Sequence, residues 1–112
     1  MSNENNAEIE ELQLIEQNLQ NLLLQKQTFQ TQLLENEKAL EEMKSNSTVY
    51  KIVGNLMIKS SPEDIKKELN SKEEMLNIRI KNIEKQEELL KEKAMKKQSS
   101  VLSQMSKNRG KK

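Results

Sequence analysis

The sequence predicts a mainly α fold in which two long helices form an antiparallel coiled coil joined by one β-hairpin. Three observations predict it: two runs of apolar residues at alternating spacings of 3 and 4, a short β-branched stretch between them, and too little apolar material for a compact core. Of 112 residues, 33% are hydrophobic and 33% charged, and the only aromatics are Phe29 and Tyr50. A composition rich in Glu, Lys, Gln and Leu suits long helices, so the expected shape is elongated. Disorder is the bland reading of such a composition, and the periodicity argues against it.

The first helix is expected over residues 7–44. From Leu12 the 3-4 spacing picks out Leu12, Ile15, Leu19, Leu22, Lys26, Phe29, Leu33, Asn36, Leu40 and Met43, an apolar seam interrupted by Lys26 and Asn36. Asn5 or Asn6 is a candidate cap, and Lys44-Ser-Asn-Ser-Thr48 reads as the helix end.

The hairpin follows, in VYKIVGNLMIK at 49–59. Val49, Tyr50, Ile52 and Val53 on one side and Leu56, Met57 and Ile58 on the other have strand character. Gly54 and Asn55 between them tolerate the positive φ of a two-residue turn. A lone two-stranded hairpin is marginal in water, and this one has apolar side chains on both faces and two open edges. Pairing with hairpins of other subunits satisfies those groups, which makes Val49–Ile58 the candidate assembly element. The alternative is a hairpin that only packs over the end of its own coiled coil.

The second helix, expected over 61–105, has a clear start: Ser61 as cap, Pro62 at the first helical position, then Glu63 and Asp64 where the helix dipole favours carboxylates. Its seam, Leu69, Glu73, Leu76, Ile80, Ile83, Glu87, Leu90, Ala94, Lys97 and Val101, is the more polar of the two. Residues 106–112 read as a basic, flexible tail. No internal repeat or low-complexity linker divides the chain, which reads as one domain over 1–112.

Folding the helices back on each other fixes the sum of paired residue numbers up to multiples of seven. A sum of 109 opposes Leu40 to Leu69, Leu33 to Leu76, Phe29 to Ile80, Leu19 to Leu90 and Ile15 to Ala94, and centres the register on Gly54-Asn55. A shift of one heptad, to 102, satisfies the same pattern. The 109 register also opposes Asn36 to Glu73, Lys26 to Ile83 and Leu22 to Glu87. Such side chains either snorkel out of a narrow seam or control its register. Residues 1–48 hold nine Glu against three Lys, whereas residues 91–112 hold eight bases and Glu92. Opposite charge at the two ends favours the antiparallel arrangement modestly.

Several function classes are disfavoured. The sequence contains no cysteine and no histidine, which removes thiolate nucleophiles, imidazole bases and the usual zinc ligands, and there is no GxxxxGK[ST] phosphate loop. Glu41-Glu42, Glu73-Glu74 and Glu87-Glu88 read as solvated faces. The expectation is a non-enzyme with no cofactor or metal. Without a leader-like start or a run of roughly 20 apolar residues, it is expected in the cytoplasm and not in a membrane.

At this point the sequence resembles the prefoldin beta family, particularly its archaeal form. The matching stretches are VYKIVGNLMIK at 49–59, the SPEDIKKELNSKEE opening of the second helix, and RIKNIEKQEELLKEK at 79–93. The resemblance is strongest over Val49–Lys93. A single hairpin fits the beta type, since the alpha type has two. What the resemblance implies is a heterohexamer of two alpha and four beta subunits, with a β-barrel body built from the hairpins and coiled coils projecting from it. Such assemblies capture non-native client proteins without ATP and deliver them to a group II chaperonin.

The tips of the coiled coil are then the expected client-binding region: Ile9, Leu12, Leu14 and Ile15 from one end of the chain, Val101, Leu102 and Met105 from the other. Frayed ends leave apolar groups partly paired, and Met suits promiscuous surfaces. Leu14 and Leu24 lie outside the seam, whereas Leu12 and Ile15 read equally well as ordinary seam residues. Two other classes remain open. A plain coiled-coil scaffold leaves the hairpin without a purpose. A nucleic-acid- or ribosome-associated role could use the basic tail, which lacks aromatics for base stacking.

Overall fold

A computed structural model describes residues 2–46 and 48–110, in the order α1 (Ser2–Ser45), β1 (Val49–Val53), β2 (Leu56–Ser60) and α2 (Pro62–Gly110). Both helices run further than their sequence signals. Asn5 and Asn6 lie inside α1 rather than capping it, and α2 continues through the first residues of the expected tail. The cause is composition: the flanking residues include no proline and no internal glycine, so the helical hydrogen-bond ladder has no reason to stop. Met1, Ser47, Lys111 and Lys112 lie outside the described residues.

The internal helix ends follow the sequence closely. Ser45 Oγ and Asn46 Nδ2 both donate to the Glu42 carbonyl, at 3.2 Å each, and so satisfy an acceptor of the last turn of α1. At the start of α2, the Ile65 amide donates to the Ser61 carbonyl at 3.1 Å, with Pro62 as first helical residue and Glu63 and Asp64 in the first turn.

Contacts divide the chain into two units, residues 26–81 and residues 1–25 with 82–112. Every seam position named from the sequence, on both helices, is buried or half-buried. In the unit of 26–81, Leu76 is 1% exposed and Asn36 3%. The Asn36 side-chain amide donates to the Leu69 carbonyl at 2.8 Å, one helical turn before Glu73, the residue expected opposite it. Its own Oδ1 is buried without a partner. Arg79 stacks over Phe29, 5.6 Å from the ring centroid.

In the unit of 1–25 with 82–112, the buried apolar residues are Ile15, Ile83 and Val101, and Glu87 is buried with them. Glu87 is thus not one of the seam residues that snorkel to solvent: its side chain is two methylenes shorter than that of Lys, the residue that snorkels best. Glu11 forms an ion pair with Lys97. Leu22 and Gln86 line one groove together with Leu90.

These contacts decide the register within each unit. Arg79, next to Ile80, lies over Phe29, and Lys97, next to Gln98, holds Glu11. Each is one residue from the 109 register. The alternative of 102 puts Glu73 beside Phe29 and Lys91 beside Glu11, and neither pairing is formed. The hairpin keeps the same centre, since Val49 pairs with Ser60, Tyr50 with Lys59, Lys51 with Ile58, Ile52 with Met57 and Val53 with Leu56.

Candidate functional site

The hairpin is built from the turn outward. Gly54 has φ +61°, and among the described residues no other position has positive φ. Asn55 therefore does not use the left-handed region that the sequence reading allowed it. Positive φ at the first central residue alone is the Gly-X pattern of a type II′ turn, whose twist matches that of the flanking strands. A Cβ at Gly54 meets open space, so its constraint is backbone conformation and not crowding.

Cross-strand partners share a face. One face carries Val49, Lys51, Val53, Leu56 and Ile58, and its Lys51 Nζ donates to Glu68 Oε1 of α2 at 2.7 Å. That exposed ion pair ties Lys51 to the helix. The other face carries Tyr50, Ile52, Met57 and Lys59, and Ile52 is 71% exposed. Val49 is half-buried, and the other apolar hairpin residues on both faces are exposed. The sheet has two strands, so each strand keeps one edge of unpaired backbone groups.

The expected tip residues separate into two kinds. Ile15 and Val101 are buried in the seam and Leu12 is half-buried there, whereas Ile9, Leu14, Leu102 and Met105 are exposed, as is Leu24. The seam reaches Glu8 rather than Ile9: Ser100 Oγ donates to Glu8 Oε1 at 3.3 Å, while Glu8 Oε2 is buried without a partner. Glu11 and Glu8 thus hold α2 through Lys97 and Ser100, one turn apart on each helix. The hydrogen bond and charge of Lys97, helped by the charge of Lys93, hold the Glu11 carboxyl below its usual value of 4.5, partly opposed by desolvation. Sequence reading missed this double clasp, because Glu8 and Ser100 carry no apolar signal and Lys97 registered only as a seam defect. It also missed Met95, exposed on α2.

Two helices packed along a heptad seam, with a hairpin whose apolar faces are left open, are the build of a coiled-coil subunit with an unfinished sheet. Residues 6–109 match the family described as "Prefoldin subunit". The chain is 36% identical over 104 residues to a protein named prefoldin subunit beta from Saccharolobus islandicus, covering 90% of this chain and 82% of that one. It is likewise 36% identical over 105 residues to a prefoldin subunit beta from Archaeoglobus fulgidus, covering 91% and 90%. The crystal structure of the prefoldin beta subunit from Thermococcus strain KS-1 superposes with a TM-score of 0.83 at 35% identity, covering 89% of this chain and 90% of that one. The chain belongs to the prefoldin family of chaperone subunits, and its likeness is to the beta type.

Proposed function

We propose that this chain is the beta-type subunit of an ATP-independent chaperone, a heterohexamer of two alpha-type subunits and four copies of itself acting in the cytoplasm. It captures non-native proteins at its coiled-coil tips and delivers them to a group II chaperonin. The observation that carries this reading is the hairpin: Tyr50, Ile52, Val53, Leu56, Met57 and Ile58 are exposed on a two-stranded sheet with open edges, in a chain of the prefoldin family. Burying those side chains and pairing those edges needs other subunits. Several weakly binding tips on one body then act together, each raising the effective concentration of the next, which permits capture and release without nucleotide chemistry.

Native mass spectrometry after mixing with an alpha-type partner tests the assembly. One discrete heterohexamer is expected, and Ile52→Lys with Met57→Lys is expected to abolish it while helix content persists. A coiled-coil dimer that ignores the partner overturns the reading. Capture is tested separately by removing Met1–Leu14 together with Val101–Lys112. Assembly is expected to survive and suppression of client aggregation to be lost, and unchanged suppression removes the tips from the mechanism.

A further inference from the structure

The distal part of α2 carries a second stripe that the coiled coil does not use. Lys91, Met95, Gln98, Leu102 and Met105 follow one another at spacings of 4, 3, 4 and 3, so they lie on one face, about 100° of rotation away from the seam at ~100° per residue. All five are exposed, with Met95 and Leu102 at 68% and 67%. The stripe extends about 20 Å, at ~1.5 Å per residue. On α1 of the same unit the exposed apolar residues are Ile9, Leu14, Leu23 and Leu24. The face that joins Ile9 to Leu23 at the same spacing carries Gln13, Glu16 and Gln20 between them, so its apolar groups are two isolated ends rather than a stripe and its one charge is acidic.

Charge selects what fits there. Residues 91–107 hold Lys91, Lys93, Lys96, Lys97 and Lys107 against Glu92, and only Lys97 is engaged by the clasp to Glu11. Residues 6–25 of α1 carry Glu8, Glu10, Glu11 and Glu16 and no base. An acidic segment is therefore attracted to the α2 side of the tip and repelled from the α1 side, whereas a basic segment meets the reverse field. The 3-4 repeat adds shape: apolar knobs at that spacing are met best by another helix bearing the same repeat.

We propose that the face Lys91–Met95–Gln98–Leu102–Met105 selects acidic amphipathic helical segments of non-native proteins, docked along α2 as an added helix. This deepens the chaperone reading and rests on it. The seam residues Leu12, Ile15 and Val101 then serve to hold the tip together, and recognition falls to the exposed stripe.

The probe is a labelled synthetic peptide with Leu at 3-4 spacing and Glu on its flanks. It is compared by fluorescence anisotropy with a Lys-flanked version and with a Glu version whose Leu spacing is scrambled, all against the full chain assembled with its alpha-type partner. The Glu-flanked helix is expected to bind about tenfold more tightly than either control, and to weaken as salt rises. Met95→Ser, Leu102→Ser and Met105→Ser together are expected to lower its affinity about tenfold, the loss of three partly buried apolar contacts, with helix content unchanged by circular dichroism. Leu102→Ala alone gives a smaller loss should the triple variant lose structure, and Leu34→Ser, outside the tip, is expected to leave binding unchanged. Equal binding of the Glu- and Lys-flanked peptides, or full binding by the Ser variant, overturns the proposal. Aggregation suppression by the unaltered complex is read in parallel: its presence alongside either negative result confines the failure to this stripe, and its absence removes the chaperone reading with it.

Discussion

The unit of 26–81 and the unit of 1–25 with 82–112 use the same heptad logic and are held by different forces. In the first, Leu76 is the most deeply buried large side chain, and polar contacts that cross the seam include an amide on a backbone carbonyl and a guanidinium on an aromatic ring. In the second, Ile15, Ile83 and Val101 are buried, and carboxylates cross the seam, Glu11 on Lys97 and Glu8 on Ser100. Burial in a dry seam is insensitive to pH and salt. An exposed ion pair is screened and titrates. The difference teaches that one repeat can hold the hairpin end firmly while leaving the tip adjustable to solution conditions.

Removing the main support of the hairpin end is expected to have the largest effect. Leu76→Ala leaves a cavity at a site 1% exposed and is expected to cost about 2–5 kcal/mol by chemical denaturation. Leu102→Ala, on an exposed face, is expected to change stability by less than about 0.5 kcal/mol. Equal losses at the two sites would erase the contrast.

Asn36→Leu sharpens it in the opposite sense. The substitution removes a buried Oδ1 that has no partner, and the Leu69 carbonyl, an acceptor inside the N-terminal part of α2, keeps its helical amide. Stability is expected to rise by about 1 kcal/mol. Loss of a unique register, seen as several interhelical distances by spin labels, is expected to accompany it, since a buried polar seam residue fixes register at a cost in stability. Next in size is Arg79→Ala, expected to cost about 0.5–1 kcal/mol through loss of the Phe29 contact.

The smallest effect concerns acid. The Glu11 carboxyl is held below 4.5 in the folded chain by Lys97. A depressed folded value means that its contribution is complete above the unfolded value and is lost as pH falls through the folded one. Amide hydrogen exchange is expected to rise at the tip below about pH 4.5 before it rises around Leu76. Glu11→Gln is expected to remove that acid step, and an unchanged acid profile would place the sensitivity elsewhere.

The opening residues of α2 and the hairpin were both legible in the sequence, because Ser61-Pro62-Glu63-Asp64 and Gly54-Asn55 act through their own backbone and nearest neighbours. The family was legible for the same local reason, in VYKIVGNLMIK and RIKNIEKQEELLKEK. Of the tip residues named from the sequence, their region was legible and their roles were not. Ile9 and Leu12 look alike in a hydropathy pattern, yet the seam takes Leu12 and passes by Ile9 to reach Glu8.

The sequence by itself therefore determined the two helical periods, the place where the chain turns back, and the stripe of each helix that faces inward. These follow from 3.6 residues per turn and from turn chemistry, which need no knowledge of a partner. Only the tertiary structure decided between the registers of 109 and 102. It also set the Asn36 amide on the Leu69 carbonyl and gave Lys97 to Glu11 as a clasp. A heptad pattern repeats every seven residues and fits its partner equally well one heptad along. The side chains that meet across the seam break that degeneracy, and their meeting depends on residues far apart in the chain.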